Sequence, residues 1–515
     1  MLNFKNKYLQ TKKKYVKQIG GNAFEEEDEV PLGFETEITH RGPIVALSDI
    51  HGDLHAFIIS LRDCSEVIGK QNFNNNEIDP ELEYYLNMDI SREDGNYDET
   101  FGYQWIGGHT YVVICGDIID LKRLDEHGRE MLNCKKNLVF NNNQFTGTPC
   151  LQYPQIEIKI LRFINAMNRL ARREKGRIIK ILGNHELENI DGSDIGFIRN
   201  YSFQTDHHDG YYRGYNRLNI FNVGNPGFAL LSEDGCGFLI KINNTIFAHG
   251  QLPKAPTTII DIIEDNNILN DPNITRSDFR RLYNTRYSNR TSNSPLWLKE
   301  WSYDDALHKR YTGKARTSQT DFCENTIIPT IQRFLNLDIN NPDIDINNYR
   351  VVLGHCPQFY ATAFNEISST FDHLVGENDI VKIYDQQNLH TGRADVLDQN
   401  KIFGITMQCP KQGNDNFVYH VDIGSSRAFD DKTGHGNLNI VDNEGQNRYL
   451  FSRTPQVLYI DPILGDRIFI IKSKMKNTRI HLPRENYEIQ HMSISDPLHI
   501  NSEEYDNDSD NYIRN

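Results

Sequence analysis

The chain has 515 residues, of which 38% are hydrophobic and 24% are charged, a composition typical of a folded, water-soluble protein. The formal net charge of −16 disfavours non-specific binding to nucleic acid, so no specific nucleic-acid partner is expected. No stretch approaches the roughly 18 apolar residues of a membrane span. The eight cysteines form no C-x-x-C pair, which favours free thiols, notably at Cys115 and Cys356, and an intracellular, cytoplasmic location.

The two ends of the chain differ in charge from the part between them. Residues 1–21 carry six lysines and no acid, and they lack the apolar core of a secretory signal. They are interpreted as a solvated tail or as a segment that binds an anionic surface transiently. Glu25–Glu29 reverses the charge, so residues 1–42 are predicted to be a basic segment with an acidic linker. Residues 473–515 are predicted to be an extension that ends in an acidic, disordered tail.

Between these ends, short apolar runs predict buried strands. The runs occupy residues 44–47, 111–115, 178–182, 245–248 and 350–353. Helices are predicted over residues 53–68, 156–174 and 326–336, and the second lies between two strands, as a β-α-β crossover requires. Shorter strands are predicted over residues 417–423, 456–460 and 467–471. Long polar insertions are predicted near residues 69–108, 122–152, 190–222 and 253–293.

Polar residues follow each of the five apolar runs, where layered α/β sheets place their active sites. In chain order they are Asp49 and His51, Asp117 and Asp120, Asn184 and His185, His249, and His355. Carboxylate, imidazole and amide oxygen are ligands that suit Mn, Fe or Zn. Six of these residues are the proposed ligands, more than the four of a structural zinc site: Asp49, His51, Asp117, Asn184, His249 and His355. They suffice for two adjacent ions that share a carboxylate and hold a water between them. The sequence therefore predicts two divalent ions, with Mn first and Fe or Zn as alternatives.

This order of motifs, D-x-H, G-D-x-x-D, G-N-H-E, H and G-H, resembles the calcineurin-like metallophosphoesterase superfamily. Three further segments resemble the phosphoprotein phosphatase family of serine/threonine phosphatases, in its bacterial or Shewanella-like branch. These segments are Ser294–Trp297, Gly354–Gln358 and Val421–Phe429. The resemblance spans about residues 43–472. It implies an α/β fold in which two mixed β-sheets pack face to face and are flanked by helices, an αββα sandwich with long loop insertions.

The resemblance also implies a role for each residue of the set. Asp117 would bridge the two ions, with Asp49 and His51 on the first and Asn184, His249 and His355 on the second. His185 would act as general acid, and a hydrogen bond that its ring donates to the Asp120 carboxylate would orient it. The implied activity is that of a metal-dependent phosphomonoesterase resembling serine/threonine protein phosphatases. A hydroxide held by both ions would attack phosphorus directly, without a covalent enzyme intermediate.

The chain departs from the family pattern where arginines usually clamp the phosphate. The family continues G-D-x-x-D with R-G, whereas Leu121 and Lys122 follow Asp120 here. Lys299 stands where a second arginine would follow Ser294–Trp297, and lysine lacks the bidentate fork of arginine. The candidates for phosphate contact are Lys122, Arg123, Arg213, Lys299 and Arg427.

The two weakened clamps leave a second function open. It is hydrolysis of a dinucleoside polyphosphate or of another small phosphoester. A catalytically dead binding protein is a third possibility, against which the retention of all six proposed ligands argues. The predicted partner is therefore a phosphoprotein or a small phosphoester substrate, and the sequence leaves the oligomeric state open.

Overall fold

Two β-sheets form the centre of the protein, whose structure is a computed structural model. It describes residues 33–70, 98–119, 156–191, 220–288, 294–298, 300–301, 319–338, 344–355, 405–411, 416–422, 456–461 and 467–472. Short described stretches lie at 139–141, 144–146, 341, 359–361, 381–382, 401–403, 439–441 and 447–449. By their internal contacts, residues 1–32 form one unit and residues 33–515 form a second unit. Every described residue belongs to the second unit.

The seven-stranded sheet is built around runs of β-branched residues. Ile44–Leu47 pairs in parallel with Tyr111–Cys115, which pairs in parallel with Arg177–Ile181. Every residue of these three strands is buried, as expected for parallel strands covered on both faces. The full strand order is Val381–Lys382, Arg467–Lys472, Gln456–Asp461, Ile44–Leu47, Tyr111–Cys115, Arg177–Ile181 and Cys236–Gly237.

The six-stranded sheet brings the last two ligand motifs to one edge. Thr245–Ala248 pairs in parallel with Arg350–Leu353, so the residues after both strands emerge together. The full order is Glu37–Ile38, Leu239–Ile242, Thr245–Ala248, Arg350–Leu353, Asn416–His420 and Thr406–Pro410. Two-stranded pairs join Ile68–Gly69 to Gln104–Trp105, Val139–Asn141 to Gln144–Thr146, Phe359–Ala361 to Lys401–Phe403, and Asn439–Val441 to Asn447–Tyr449.

The two sheets pack face to face. Ala46 and Val113 of the seven-stranded sheet share one buried cluster with Phe247 and Val352 of the six-stranded sheet. Their neighbours along the strands point the other way, because successive strand residues alternate between faces. Those neighbours join a second buried cluster that includes residues of the surrounding helices. The predicted sandwich of two mixed sheets flanked by helices is confirmed.

Helices cover the outer faces of the sheets. The α-helices are Leu54–Ile59, Ile156–Arg173, Asn184–Asp191, Pro226–Ser232, Ile259–Leu269, Arg276–Leu282, Gln319–Phe322 and Ile328–Phe334. Single π-helical turns span Ser60–Cys64, Tyr283–Tyr287 and Cys323–Ile327, and a 3₁₀ turn spans Ile346–Asn348. Among the helices that the structure describes, none is both long enough and apolar enough to cross a membrane.

The helix predicted over 156–174 is confirmed, since Ile156–Arg173 is helical and its apolar stripe is buried except at Leu170, which is partly buried. The other two predicted helices are interrupted. Leu54–Ile59 passes into a π-turn that ends at Cys64, and a π-turn also precedes Ile328–Phe334. A π-turn adds one residue to the helical repeat, and apolar spacing over so few residues does not reveal it.

The predicted insertion near 253–293 contains two helices of its own. Each begins with a capping box, in which the side chains of Thr258 and Asp261, or of Thr275 and Asp278, bond reciprocally to the backbone. Such boxes satisfy amide groups that the first helical turn leaves without partners. The T-x-x-D spacing at both positions is the sequence signal for these helices.

A disulfide joins Cys323 to Cys409, and among the described cysteines Cys64, Cys115 and Cys236 are buried and take part in no disulfide. The free thiol at Cys115 agrees with the sequence expectation. The pair at Cys323 and Cys409 was not predicted, because its cysteines are 86 residues apart and meet only when a helical turn packs against the six-stranded sheet. Cys356 lies outside the described residues.

Lys180, in the strand next to the edge of the seven-stranded sheet, is a buried cation held by oxygen atoms. Its Nζ donates to the Asn165 Oδ1 at 2.7 Å and to the carbonyl oxygens of Leu230 at 3.1 Å and Glu233 at 2.7 Å. Burial lowers the pKa of Lys180 from 10.5 to about 8, because the charged amine loses its hydration.

This lowered pKa predicts a pH dependence of stability. Above pH 8 the unfolded chain retains the Lys180 proton while the folded chain loses it, so the free energy of unfolding should rise with pH. Between pH 8 and 9 the expected contribution is about 1 kcal/mol per pH unit. Urea unfolding of wild type and Lys180→Met across this range measures it. A Lys180→Met variant with the slope of wild type would contradict this assignment. Above pH 9 the buried Cys236 thiol, whose pKa is raised to about 12, opposes the rise.

Candidate metal centre

The first two ligand motifs lie side by side because their backbones are hydrogen-bonded beyond the strands. The Asp49 amide donates to the Gly116 carbonyl at 3.1 Å, and the His51 amide donates to the Asp117 carbonyl at 2.8 Å. These bonds continue the pairing of Ile44–Leu47 with Tyr111–Cys115. The parallel register of the two strands thus places Asp49, His51 and Asp117 at one edge of the sheet.

Four proposed ligands have left-handed backbone conformations. Their φ angles are 54° at Asp49, 44° at His51, 50° at Asp117 and 70° at His355. Non-glycine residues rarely adopt this conformation, which costs of order 1–3 kcal/mol and concentrates at functional sites. The surrounding packing therefore holds these side chains in directions that an ordinary strand would not give them.

The Asp117 carboxylate lies at the centre of the site. Its Oδ2 is 3.6 Å from His51 Nε2 and 3.7 Å from His185 Nε2, and its Oδ1 is 3.4 Å from His249 Nε2. Two ligands that are each about 2.1 Å from a tetrahedral ion are roughly 3.4 Å apart, so these spacings suit atoms that share an ion. Two buried groups of potential ligands result, His51 with Asp117 and His185, and Asp117 with His249 and His355.

The donor atoms around His249 fit a cation. Its Nδ1 is 2.9 Å from the Cys115 carbonyl oxygen, which can only accept a hydrogen bond, so Nδ1 carries the proton. The Nε2 of the neutral ring is then an acceptor, and yet it lies 2.8 Å from Asn184 Oδ1, which is also an acceptor. A cation bound by both atoms removes this repulsion. Nδ1 of His355 lies 3.1 Å from the same Nε2 and completes the group.

Asp49 connects the two sheets at the site. Its Oδ2 accepts a hydrogen bond from the His355 amide at 2.9 Å and another from the Ser48 hydroxyl. The Ser48 hydroxyl also lies 2.8 Å from the Cys115 carbonyl. A Cβ at Gly354 would lie 2.7 Å from that same carbonyl, so only glycine allows this approach. The His355 loop is thereby held against the first ligand motif.

Glu186 organises two of the ligand loops, and the sequence analysis assigned it no role. Its carboxylate accepts four backbone hydrogen bonds of 2.7–3.0 Å, from Gly183 and from the three consecutive residues Asp117, Ile118 and Ile119. Complete burial raises the pKa of Glu186 to about 7, although the four amides act in the opposite direction. The residue fixes the Asp117 loop to the Asn184 loop. Its place in the G-N-H-E motif, in the first turn of a helix, is the signal that could have indicated it.

His185 lies beside the metal ligands at the start of helix Asn184–Asp191. Its amide donates to Asp117 Oδ1 at 3.1 Å, and its ring meets the His51 ring edge-on at a centroid distance of 4.7 Å. This position suits proton transfer at the ions, and it also places the imidazole within reach of the first ion.

The structure brings together Asp49, His51, Asp117, Asn184, His185, His249 and His355. Asp120, the predicted partner of His185, lies outside the described residues. So do the phosphate-contact candidates Lys122, Arg123, Arg213, Lys299 and Arg427. Their roles stay predictions.

The amino-acid sequence of this chain matches a protein family and is similar to a viral protein. Residues 42–355, more than half of the chain, match the family model for the calcineurin-like phosphoesterases. An uncharacterized protein of Acanthamoeba polyphaga mimivirus is 25% identical over 276 residues, which cover 52% of this chain and 88% of that protein.

Solved structures of cold-active protein tyrosine phosphatases are also similar. One is 15% identical with a TM-score of 0.38, covering 85% of this chain and 82% of the other. The enzyme of a psychrophile Shewanella species is 17% identical with a TM-score of 0.34, covering 84% and 80%. Likeness at this level supports no conclusion about activity. The family match covers all five ligand motifs, and the chain belongs to the calcineurin-like phosphoesterase family.

Proposed function

We propose that this protein is a metal-dependent phosphomonoesterase that hydrolyses phosphoserine or phosphothreonine esters in proteins. The observation that carries the proposal is the buried Asp117 carboxylate, whose two oxygens face histidines of two separate ligand groups. Two divalent ions bound there, Mn first among the candidates, would activate a water and offset charge on the phosphoryl group. Membership of a phosphoesterase family supports the reaction class, and the Ser294–Trp297 and Val421–Phe429 segments support the serine/threonine specificity.

Different residues of the site are proposed to bind the ions and to transfer the proton. Asp49 and His51 would hold the first ion, and Asn184, His249 and His355 would hold the second, with Asp117 within reach of both groups. His185 donates a proton from its Nε2 to the leaving alkoxide, a step worth about 10²–10⁴-fold in rate. The amide bond from His185 to Asp117 Oδ1 fixes the acid relative to the bridging ligand. Asp120 is proposed to orient the ring.

Replacement of His185 by asparagine tests the acid. We expect kcat for an aryl phosphate monoester with a poor leaving group to fall by about 10²–10⁴-fold, while both ions remain bound. The loss should shrink with an activated leaving group, such as p-nitrophenolate, that needs no proton. Steady-state kinetics on both esters, together with metal analysis of the same samples, measures this split.

The matched control is His109→Asn, which changes an exposed histidine in the turn before Tyr111–Cys115. It should leave both rates unchanged. If His185→Asn instead loses a metal ion in proportion to its activity, His185 is a ligand of the first ion and the assigned role is wrong.

A substrate panel tests the specificity. The clamp arginine expected after Asp120 is replaced by leucine, which favours dinucleoside polyphosphates or other small phosphoesters as the second candidate. Phosphoserine and phosphothreonine peptides are compared with dinucleoside polyphosphates under the same Mn²⁺ concentration. A higher kcat/KM for the peptides supports the proposal. A higher kcat/KM for the polyphosphates would favour the second candidate function instead. Binding of both classes without turnover would favour a dead site.

A further inference from the structure

We infer that residues Ser294–Leu298, here named the brace, position the two histidines of the second metal site, and that Trp297 is the positioning residue for His355. The inference deepens the proposed function, because it concerns the ion that His249 and His355 would share. It depends on three contacts. The Pro295 carbonyl lies on Gly250, the Trp301 amide bonds to Gln251, and the Trp297 indole contacts the His355 ring.

The backbone of the brace lies on the loop that follows His249. A Cβ at Gly250 would overlap the Pro295 carbonyl oxygen and lie 3.0 Å from its carbon, so the brace passes directly over this glycine. Close by, the Trp301 amide donates to the Gln251 side-chain oxygen at 3.0 Å. Gly250 and Gln251, which directly follow the proposed ligand His249, are therefore each in contact with the brace or with Trp301 just after it.

The brace is itself well anchored. Ser294 and Leu296 have no exposed surface. The amides of Trp297 and Leu298 both donate to the Ser294 carbonyl, at 3.3 and 3.2 Å, and close a tight turn. A buried turn of this kind holds its side chains in fixed directions, so the position of Trp297 is determined by contacts outside the metal site.

The indole of Trp297 reaches the ring of His355. Their centroids are 6.1 Å apart with an interplanar angle of 82°, and the His249 ring also contacts His355, at a centroid distance of 4.8 Å. Edge-to-face geometry is the favoured arrangement for such rings. Because His355 has a left-handed φ of 70°, its loop is strained and needs outside support. The indole adds to the support that Asp49 gives this loop.

Metal titration of three full-length variants tests the inference. The protein is stripped of metal and titrated calorimetrically with Mn²⁺, without substrate, as wild type, Trp297→Phe, Trp297→Leu and His355→Ala. Removal of a group that orients a ligand typically costs 10–100-fold in metal affinity. We expect Trp297→Leu to weaken the second ion by about 10-fold with the first ion unchanged. Trp297→Phe should restore most of the loss, because it retains an aromatic edge, and His355→Ala should abolish the second ion.

The same leucine substitution at Trp105, a buried tryptophan bonded to the Gly108 carbonyl, controls for loss of packing alone. It should lower the melting temperature without changing the ratio of the two Mn²⁺ affinities. Equal affinities for wild type and Trp297→Leu would overturn the inference, as would equal effects of leucine at Trp105 and at Trp297. Hydrolysis is measured separately. A wild-type protein that binds two ions without turnover would contradict the proposed function, whereas the role of Trp297 is still decided by the Mn²⁺ titration of the variants.

Discussion

Replacing Asp117 with asparagine should reduce Mn²⁺-dependent hydrolysis of an aryl phosphate by at least about 10³-fold, since the proposed two-metal catalysis requires this carboxylate to serve both ions. Both oxygens of this carboxylate face imidazole nitrogens at 3.4–3.7 Å. Asparagine has one oxygen and no charge, and its amide nitrogen would direct hydrogens toward one of the two ions. We expect fewer than two ions per chain and a small residual rate. Kinetics over a Mn²⁺ series, with metal analysis on the same sample, measures both.

Asp271→Asn is the matched control for this variant. Asp271 is exposed, and its side chain accepts the Asn273 amide at 2.8 Å in a turn, a bond that asparagine can also make. Wild-type turnover is expected from it. An Asp117→Asn enzyme with near-normal turnover would show that the carboxylate does not bridge catalytic ions.

Gly183→Ala should disable the site without removing any ligand. An added Cβ would lie 2.5 Å from the Asp117 amide nitrogen and closer still to Asp117 Oδ1. Both atoms belong to Asp117, whose loop is fixed by Glu186 and cannot move aside without breaking hydrogen bonds. Overpacking of this kind costs about 1–3 kcal/mol, and the displaced carboxylate should lose metal affinity as well. Urea unfolding without metal and Mn²⁺ titration measure the two effects.

Gly69→Ala provides the comparison for that substitution. Its Cβ would approach only the Cδ1 end of Ile106, a side chain that is 59% exposed and free to turn. Stability and metal binding should both stay near the wild-type values. If Gly183→Ala behaves in the same way, the close packing of the ligand loops is not needed for metal binding.

The sequence predicted that the candidate ligands come together, because its signals are local. Each ligand follows a run of buried β-branched residues, and the carboxyl ends of parallel strands meet at one edge, so Asp49, Asp117 and Asn184 had to converge. The 3.6-residue periodicity of Ile156–Arg173 is equally local and long enough to be clear. These features need no knowledge of partners that are distant in the chain.

The sequence did not reveal features that arise from long-range contacts. The four amides bound by Glu186 belong to two loops that adjoin only after folding. The contact between Trp297 and His355 likewise joins separate segments of the chain. The interruptions of the other two predicted helices were missed for a different reason. A single π-turn shifts the helical repeat over too few residues to alter the apolar pattern. The phosphate-contact candidates Lys122, Arg123, Arg213, Lys299 and Arg427 lie outside the described residues, so their assignment stays a prediction.

The most direct test of the two-metal site is a titration of metal-free wild-type protein with Mn²⁺ in which bound metal and aryl phosphate hydrolysis are measured on the same samples. The geometry around Asp117 predicts two ions per chain, and a rate that rises as the second ion binds. Binding of a single ion that already supports the full rate, or hydrolysis that does not depend on metal, would contradict a site built from two ligand groups that share one carboxylate.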